Sequence, residues 1–136
     1  SVARYIASLS QQASAARSAS ARLSKQIDQG VVDMKVFHGT TWNVKPDRMG
    51  DFIKYCAKAA ELHKSLGAED VRLMSTIAGG PQTQFMYVMV VESEEAFGSL
   101  MKTLNNSAEW SALNKEFFAD PCGEVVNASL RQDIFS

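Results

Sequence analysis

Cysteine, histidine and proline are all scarce in this chain of 136 residues, with two, two and three copies. Cys56 and Cys122 form no CxxC pair, which excludes a zinc knuckle and a thioredoxin-type redox motif. Nothing in the sequence supports a disulfide between them. Cys56 falls on the apolar face of an expected helix, where a buried reduced thiol is the ordinary reading. His38 and His63 alone cannot make a three-histidine metal site, so neither a metal nor a cofactor is expected. A dominant charge sign is also lacking. Lys plus Arg number 14 and Asp plus Glu 15, a net of −1, which argues against an electrostatic grip on nucleic acid. No apolar run approaches the ~20 residues that span a bilayer, so membrane association is not expected. No signal-peptide core is present, and a cytoplasmic location is expected. There is no recognisable Ser-His-Asp set, carboxylate pair or phosphate loop.

What the chain does have is an uneven layout. Residues 1–29 hold seven Ala and seven Ser with no Gly or Pro, and four basic residues against Asp28, a net of +3. The remainder carries ten basic and fourteen acidic residues, a net of −4. Both shifts place a boundary near Gly30, giving an N-terminal segment 1–30 and a domain 31–136. Val2, Ile6, Leu9, Ala13, Ala16, Ser20, Leu23 and Ile27 follow 4-3-4-3 spacing, a heptad seam with a small-residue centre. A helix there would be about 40 Å long, and its thin stripe could not hold it folded alone. The favoured reading is a coiled-coil-like assembly helix, with Ile6, Leu9, Ala13, Ala16, Leu23 and Ile27 packing on a second copy or another protein. It would then project from the domain. The alternatives are a helix folded on its own domain, and a mitochondrial-type targeting segment, since the composition is Arg- and Ser-rich and nearly free of acid.

The domain reads as alternating elements. Residues 32–44 are β-branched and aromatic, a strand. Pro46 opens a helix with Asp47 and Asp51 near its positive end, apolar residues recur at helical spacing from Met49 to Leu66, and Gly67 caps it. Strands follow at 71–78 and 83–92, joined by the Gly79-Gly80-Pro81 turn. Ser93 caps a helix to about Leu104, Asn105 and Asn106 interrupt it, and Ser107 caps a second piece. A last strand covers 125–134. The order β-α-β-β-α-β is the ferredoxin-like arrangement of an α+β protein. The third strand is apolar on both faces, so its second face calls for cover, and a twofold homodimer packing sheet on sheet is the simplest closure.

This order, together with WNVKPDRMGDFIKY, MYVMVVES and the broken helix EEAFGSLMKTLNNSAEW, resembles the dimeric α/β-barrel superfamily over roughly residues 34–135. The likeness is greatest to its NIPSNAP-like and antibiotic-biosynthesis-monooxygenase-like branches. The superfamily holds cofactor-free monooxygenases, haem-handling enzymes, isomerases and proteins without known activity, so the resemblance implies a fold more than a function. It implies a pocket between sheet and helices. Alternation puts His38 and Trp42 on one face of the first strand and Phe37, Gly39, Thr41 and Asn43 on the other. His63 lies on the apolar face of the first domain helix, and Tyr87 on the central strand. The enzymatic reading is a hydrophobic pocket with His38 as acid or base and Trp42, His63 and Tyr87 around it; the structural reading makes these residues core members. Arg72 and Arg131 could hold an anion or face solvent. The haem-degrading relatives place a histidine on the second helix, where this chain reads SALNKE. The monooxygenases use an Asn–Trp pair plus a Tyr, which Asn43, Trp42 and Tyr87 could match. Two functions are carried forward. The first is an assembly protein on a dimeric barrel. The second is a small cofactor-free monooxygenase-like or isomerase-like enzyme acting on an aromatic or hydrophobic molecule.

Overall fold

The computed structural model describes residues 2–27 and 34–136, without the side chains of residues 20 and 23–27. Helix α1 spans Val2–Ile27, followed by β1 (Val36–Val44), α2 (Met49–Leu66), β2 (Asp70–Ser75), β3 (Gln84–Val91), α3 (Glu94–Asn105), α4 (Ala108–Ala119) and β4 (Gly123–Gln132). The four strands form one antiparallel sheet in the order β2-β3-β1-β4. The domain therefore has the expected ferredoxin-like α+β order. Its second crossover is the broken pair α3–α4.

Local chemistry sets the element ends. The Ser93 hydroxyl accepts from the Ala96 N–H at 3.0 Å, and the Ser107 hydroxyl from the Trp110 N–H at 3.1 Å. Each side chain satisfies a backbone donor that the first helical turn leaves free. Pro46 opens a short 3-10 turn, Pro46–Arg48, and α2 proper begins at Met49. Gly67 ends α2 at φ 132°, a conformation that disfavours any side chain. At Gly123 a Cβ would lie 2.9 Å from the Asn43 carbonyl oxygen, so only glycine lets β4 start so close to the end of β1. Thr41 pairs with Asn127 and Trp42 with Val125, which leaves Val126 as the extra residue of a β-bulge.

Alternation in β1 sorts the two faces. Val36, His38, Thr40, Trp42 and Val44 are buried under the helices, with Phe37, Gly39, Thr41 and Asn43 opposite. On β3 the helix-side Phe85, Tyr87, Met89 and Val91 are buried, and so are Val88 and Val90 on the other face. On that open face the Arg72 guanidinium lies 5.9 Å from the centre of the Phe37 ring. Met74 and Met86, paired across β2 and β3, stay 46% and 40% exposed.

Helix α1 does not project. It packs on α3 of its own chain and reaches β4. Leu9, Ala13 and Ala16 belong to the same hydrophobic core as the sheet. The reason lies in the small residues themselves. Ala16 is fully buried, and on α3 a Cβ at Gly98 would be 3.7 Å from Cγ of Arg17. Small side chains on both helices let the two backbones approach, within one molecule rather than between two. The buried stripe is also rotated from the expected seam, with Tyr5 and Gln12 half-buried and Ile6 51% exposed. The Leu23 and Ile27 side chains and the boundary near Gly30 lie outside the described residues.

The docking is thin. Leu9 is the one large aliphatic buried by α1 among the described residues, worth about 1.5–3 kcal/mol on full burial. Ala16→Glu should therefore undock α1 by placing a carboxylate in a site without room or partner, at a cost of about 2–4 kcal/mol. Limited proteolysis should then cut within α1 and leave a protected fragment beginning near β1. Unchanged resistance of α1 would refute this packing.

Candidate functional site

Between the sheet and helices α1, α2 and α4 lies an aromatic chamber of about 60 Å³. Trp42 from β1, Tyr87 from β3, Phe52 from α2, and Trp110 and Phe117 from α4 form most of its wall, and Tyr5 of α1 closes one side. The rings meet in tilted and edge-on geometry. Trp42 and Phe117 are 5.6 Å apart at 79°, Trp42 and Phe52 5.6 Å apart at 55°, and Tyr5 and Trp42 6.0 Å apart at 50°. Half-buried Tyr55, Leu113, Asn114 and Phe118 form its rim between α2 and α4.

A recess of about 20 Å³ adjoins the chamber. Tyr5, Thr40, His63, Tyr87 and Trp110 border both spaces, and Leu9, His38, Met89, Met101 and Leu104 border the recess alone. The structure thus brings His38, His63 and Tyr87 to the recess and Trp42, His63 and Tyr87 to the chamber. Asn43 is not among them. It is exposed on the opposite face, where its Oδ1 accepts from Gln84 Nε2 at 3.2 Å. The Asn43–Trp42–Tyr87 match therefore fails, because consecutive strand residues point to opposite faces. Arg72 and Arg131 are also exposed, and Arg72 pairs with Asp70 at 3.1 Å.

Most polar groups around this space are engaged. Trp42 Nε1–H donates to Thr40 Oγ1 at 2.8 Å, and the Thr40 hydroxyl donates to the Tyr87 carbonyl at 3.4 Å. The Tyr87 hydroxyl lies 2.6 Å from His63 Nδ1. His38 Nε2 is hydrogen-bonded to Gln12 Oε1 of α1. Two buried nitrogens have no partner among the described residues: His38 Nδ1 and His63 Nε2.

Donor and acceptor logic assigns the protons. A glutamine Oε1 only accepts, so His38 carries its hydrogen on Nε2 and a bare lone pair on Nδ1. The Tyr87 hydroxyl has no other partner among the described residues, so it donates to His63 Nδ1, which puts the imidazole hydrogen on Nε2. The two rings that border the recess therefore carry one unused acceptor and one unused donor.

Burial holds both rings neutral. The His38 imidazole is pushed down to about 4 by loss of solvent. The His63 imidazole is pushed down to about 4 by the same cause, then by the charge His38 would carry. Burial likewise raises the Tyr87 phenol above its ordinary range and pushes the Cys56 thiol, on the chamber wall, up to about 12. Cys56 and Cys122 are both free and buried, and at neutral pH Cys56 is a thiol, not a nucleophile. Among the described residues no three metal-ligating side chains cluster, and no helix is long and apolar enough to cross a membrane.

Tyr5 and Gln12 escaped the sequence reading, whereas strand alternation already put Thr40 on the face of His38 and Trp42. Tyr5 is the lone aromatic of residues 1–29, a signal that a heptad of Ala and Ser obscured. Gln12 falls between Leu9 and Ala16 at 3-4 spacing, one step around the helix from the expected seam.

The pH dependence of stability follows from the two histidines. An unfolded histidine titrates near 6.5, so above that pH neither state binds the proton. Between about 6.5 and 4 the unfolded chain takes up protons that the folded rings refuse. Stability should fall through this window by on the order of a few kcal/mol and flatten below it. Urea unfolding at pH 7.5, 5.5 and 4.5 would measure the loss, and a His38→Met variant should show a shallower slope. An equal slope would place the titration elsewhere.

The sequence matches no family model and no curated protein. Solved structures do match in fold. One is a NIPSNAP-family protein of unknown function from Agrobacterium tumefaciens, at 14% identity and TM-score 0.60, over 74% of this chain and 88% of that one. Two others are provisionally described as antibiotic biosynthesis monooxygenases. The Bordetella bronchiseptica protein matches at 20% identity and TM-score 0.56, over 74% of this chain and 98% of that one. The Nitrosomonas europaea protein matches at 7% identity and TM-score 0.58, over 77% and 95%. The fold, a four-stranded antiparallel sheet with helices in ferredoxin-like order, is the one these structures share.

Proposed function

We propose that the chain is a small cofactor-independent enzyme that moves a proton on a compact aromatic or otherwise apolar carbonyl or phenol compound. The observation that carries this is that His38, with a free acceptor at Nδ1, and His63, with a free donor at Nε2–H, both border one small recess beside an aromatic chamber. The substrate's ring lies against Trp42 and Tyr87, and its oxygen enters the recess. His38 Nδ1 takes a proton from the carbon next to the carbonyl. The C–H electron pair moves into the carbon–carbon bond, and the carbonyl π pair moves to oxygen. His63 Nε2–H donates to that developing oxyanion. Where the substrate carries a β,γ carbon–carbon double bond, the enolate is a dienolate, and return of the proton to its γ-carbon completes an isomerisation without an oxidant; a substrate without that double bond only exchanges its α-hydrogen. A base of this strength resembles the carboxylates that other enzymes use for the step. The fold likeness to provisionally described monooxygenases adds a variant in which the enolate or phenolate meets dioxygen as the named oxidant.

The test is exchange of α-hydrogens of 2-indanone in D2O, followed by proton NMR, in air and under argon. Exchange above the buffer rate is expected, and His38→Ala should lower it by about 10²-fold or more. Oxygen uptake in air alone would favour the oxygenase variant. If exchange is absent, and phenol leaves the ring nitrogens of His38 and His63 unmoved, the proposal is wrong.

The assembly reading keeps one part of its support. Ala13 and Ala16 are spent within the chain, so α1 offers a second chain only its outer face, with Val2 39% and Ile6 51% exposed. The open sheet face still carries the paired Met74 and Met86. A twofold homodimer through that face is expected at micromolar concentration, with Met86→Glu shifting it toward monomer. A stable folded monomer of the unaltered chain in sedimentation would end this reading.

A further inference from the structure

We propose that α1 is a working part of the pocket: it closes the recess, and Gln12 is the positioning residue that holds His38 in its base-competent tautomer. This rests on the function proposed above only for its catalytic consequence, since the tautomer can be read without a substrate.

Three observations converge. Gln12 Oε1 engages His38 Nε2, and no other described residue offers that nitrogen a partner. Tyr5 borders chamber and recess alike, and Leu9 borders the recess, so one face of α1 supplies wall, floor and hydrogen-bond acceptor together. Several solved structures of like fold cover about three-quarters of this chain while being nearly or wholly covered themselves, as with a Bacteroides thetaiotaomicron protein matched over 75% of this chain and 100% of its own. The remaining quarter is about the size of the segment before β1.

The consequence for the base is specific. A neutral imidazole in apolar surroundings has two tautomers of similar energy unless one ring nitrogen is committed. Gln12 commits Nε2 to the hydrogen, which leaves the Nδ1 lone pair free in the recess. Without that acceptor the hydrogen can sit on either nitrogen, and part of the population presents an N–H where the reaction needs a base. The titratable groups around His38 are Tyr5 from α1, His63 from α2 and Tyr87 from β3. None carries charge at neutral pH, so Gln12 is the contact through which its titration can be tuned.

The space also asks for motion. Chamber and recess are about 60 and 20 Å³, below the ~150 Å³ that holds a benzene ring. Among the described residues, helix α1 buries only Leu9 and two alanines outright, with Tyr5 and Gln12 half-buried beside them, which makes it the element that gives way.

Nitrogen NMR of the histidine rings in the full chain tests the proposal. In the unaltered protein His38 should show Nε2 protonated and Nδ1 bare. Gln12→Leu should produce a tautomer mixture at His38 and leave the His63 pattern unchanged. Gln12→Glu should raise the His38 titration midpoint by at least one pH unit, a tenfold shift, because a carboxylate favours the imidazolium. As a second route, Arg17→Cys with Gly98→Cys should form a disulfide between α1 and α3. That oxidised form should bind phenol at least tenfold more slowly than the reduced form. An unaltered His38 pattern in Gln12→Leu, or equal phenol rates in the two redox forms, would overturn the proposal. A tautomer that responds as expected while no form binds phenol would leave the positioning role standing and defeat the proposed function alone.

Discussion

Everything at this site depends on burying two imidazole rings and leaving half of their hydrogen-bonding capacity unused. A buried polar nitrogen without a partner costs on the order of 1–3 kcal/mol, and His38 Nδ1 and His63 Nε2 are both in that state. The structure compensates around them rather than at them. Tyr87 secures His63, Gln12 secures His38, and Thr40 absorbs the Trp42 indole hydrogen. The aromatic rings then fill the space, with His63 lying 4.6 Å from Trp110 and His38 5.2 Å from Phe97. Neutrality of both rings follows from the same burial, so the site's electrostatics and its packing have one cause.

That constraint explains why the N-terminal helix sits where it does. At the His38 end of β1, Phe97 of α3 lies against the ring, and Gln12, Tyr5 and Leu9 of α1 complete the cover. A polar ring exposed there to solvent would titrate near its ordinary pH and lose its fixed tautomer. Helix α1 removes that exposure with little hydrophobic area of its own. Its alanines bring it close to Gly98 on α3, and this closeness carries Gln12 and Tyr5 to the ring and the chamber. Small residues at a helix seam thus serve position more than adhesion.

Much of the domain was legible from residue order. Ser93 and Ser107 marked helix starts, Gly67 a helix end, and the Asn105-Asn106 pair the break between α3 and α4, because each carries a local backbone preference that tertiary packing did not override. Period-two alternation placed His38 and Trp42 on one face of β1, and the apolar stripe of α2 placed His63 opposite them. The partner of α1 was not legible. An Ala/Ser seam of 4-3 spacing fits a second copy and a neighbouring helix of the same chain equally well, and the deciding residue, Gly98, lies about eighty positions away. The tautomers were not legible either, since they depend on which acceptor reaches Nε2 in three dimensions.

The energetic character of the recess bears on what kind of site it is. A core selected for stability alone would place Leu or Met at positions 38 and 63, since replacing half-satisfied buried polar groups with apolar ones of similar shape is neutral or stabilising. Here the polar rings are kept, and their surroundings are polar only at the atoms that orient them. Local rules of core packing are broken at one place, where a lone pair and an N–H border the same small volume. A purely structural pair of histidines would be expected to close on each other or on backbone carbonyls; among the described residues neither His38 Nδ1 nor His63 Nε2 does so. A ligand oxygen supplying the missing partners would recover that cost, and this is the physical argument behind the proposed function.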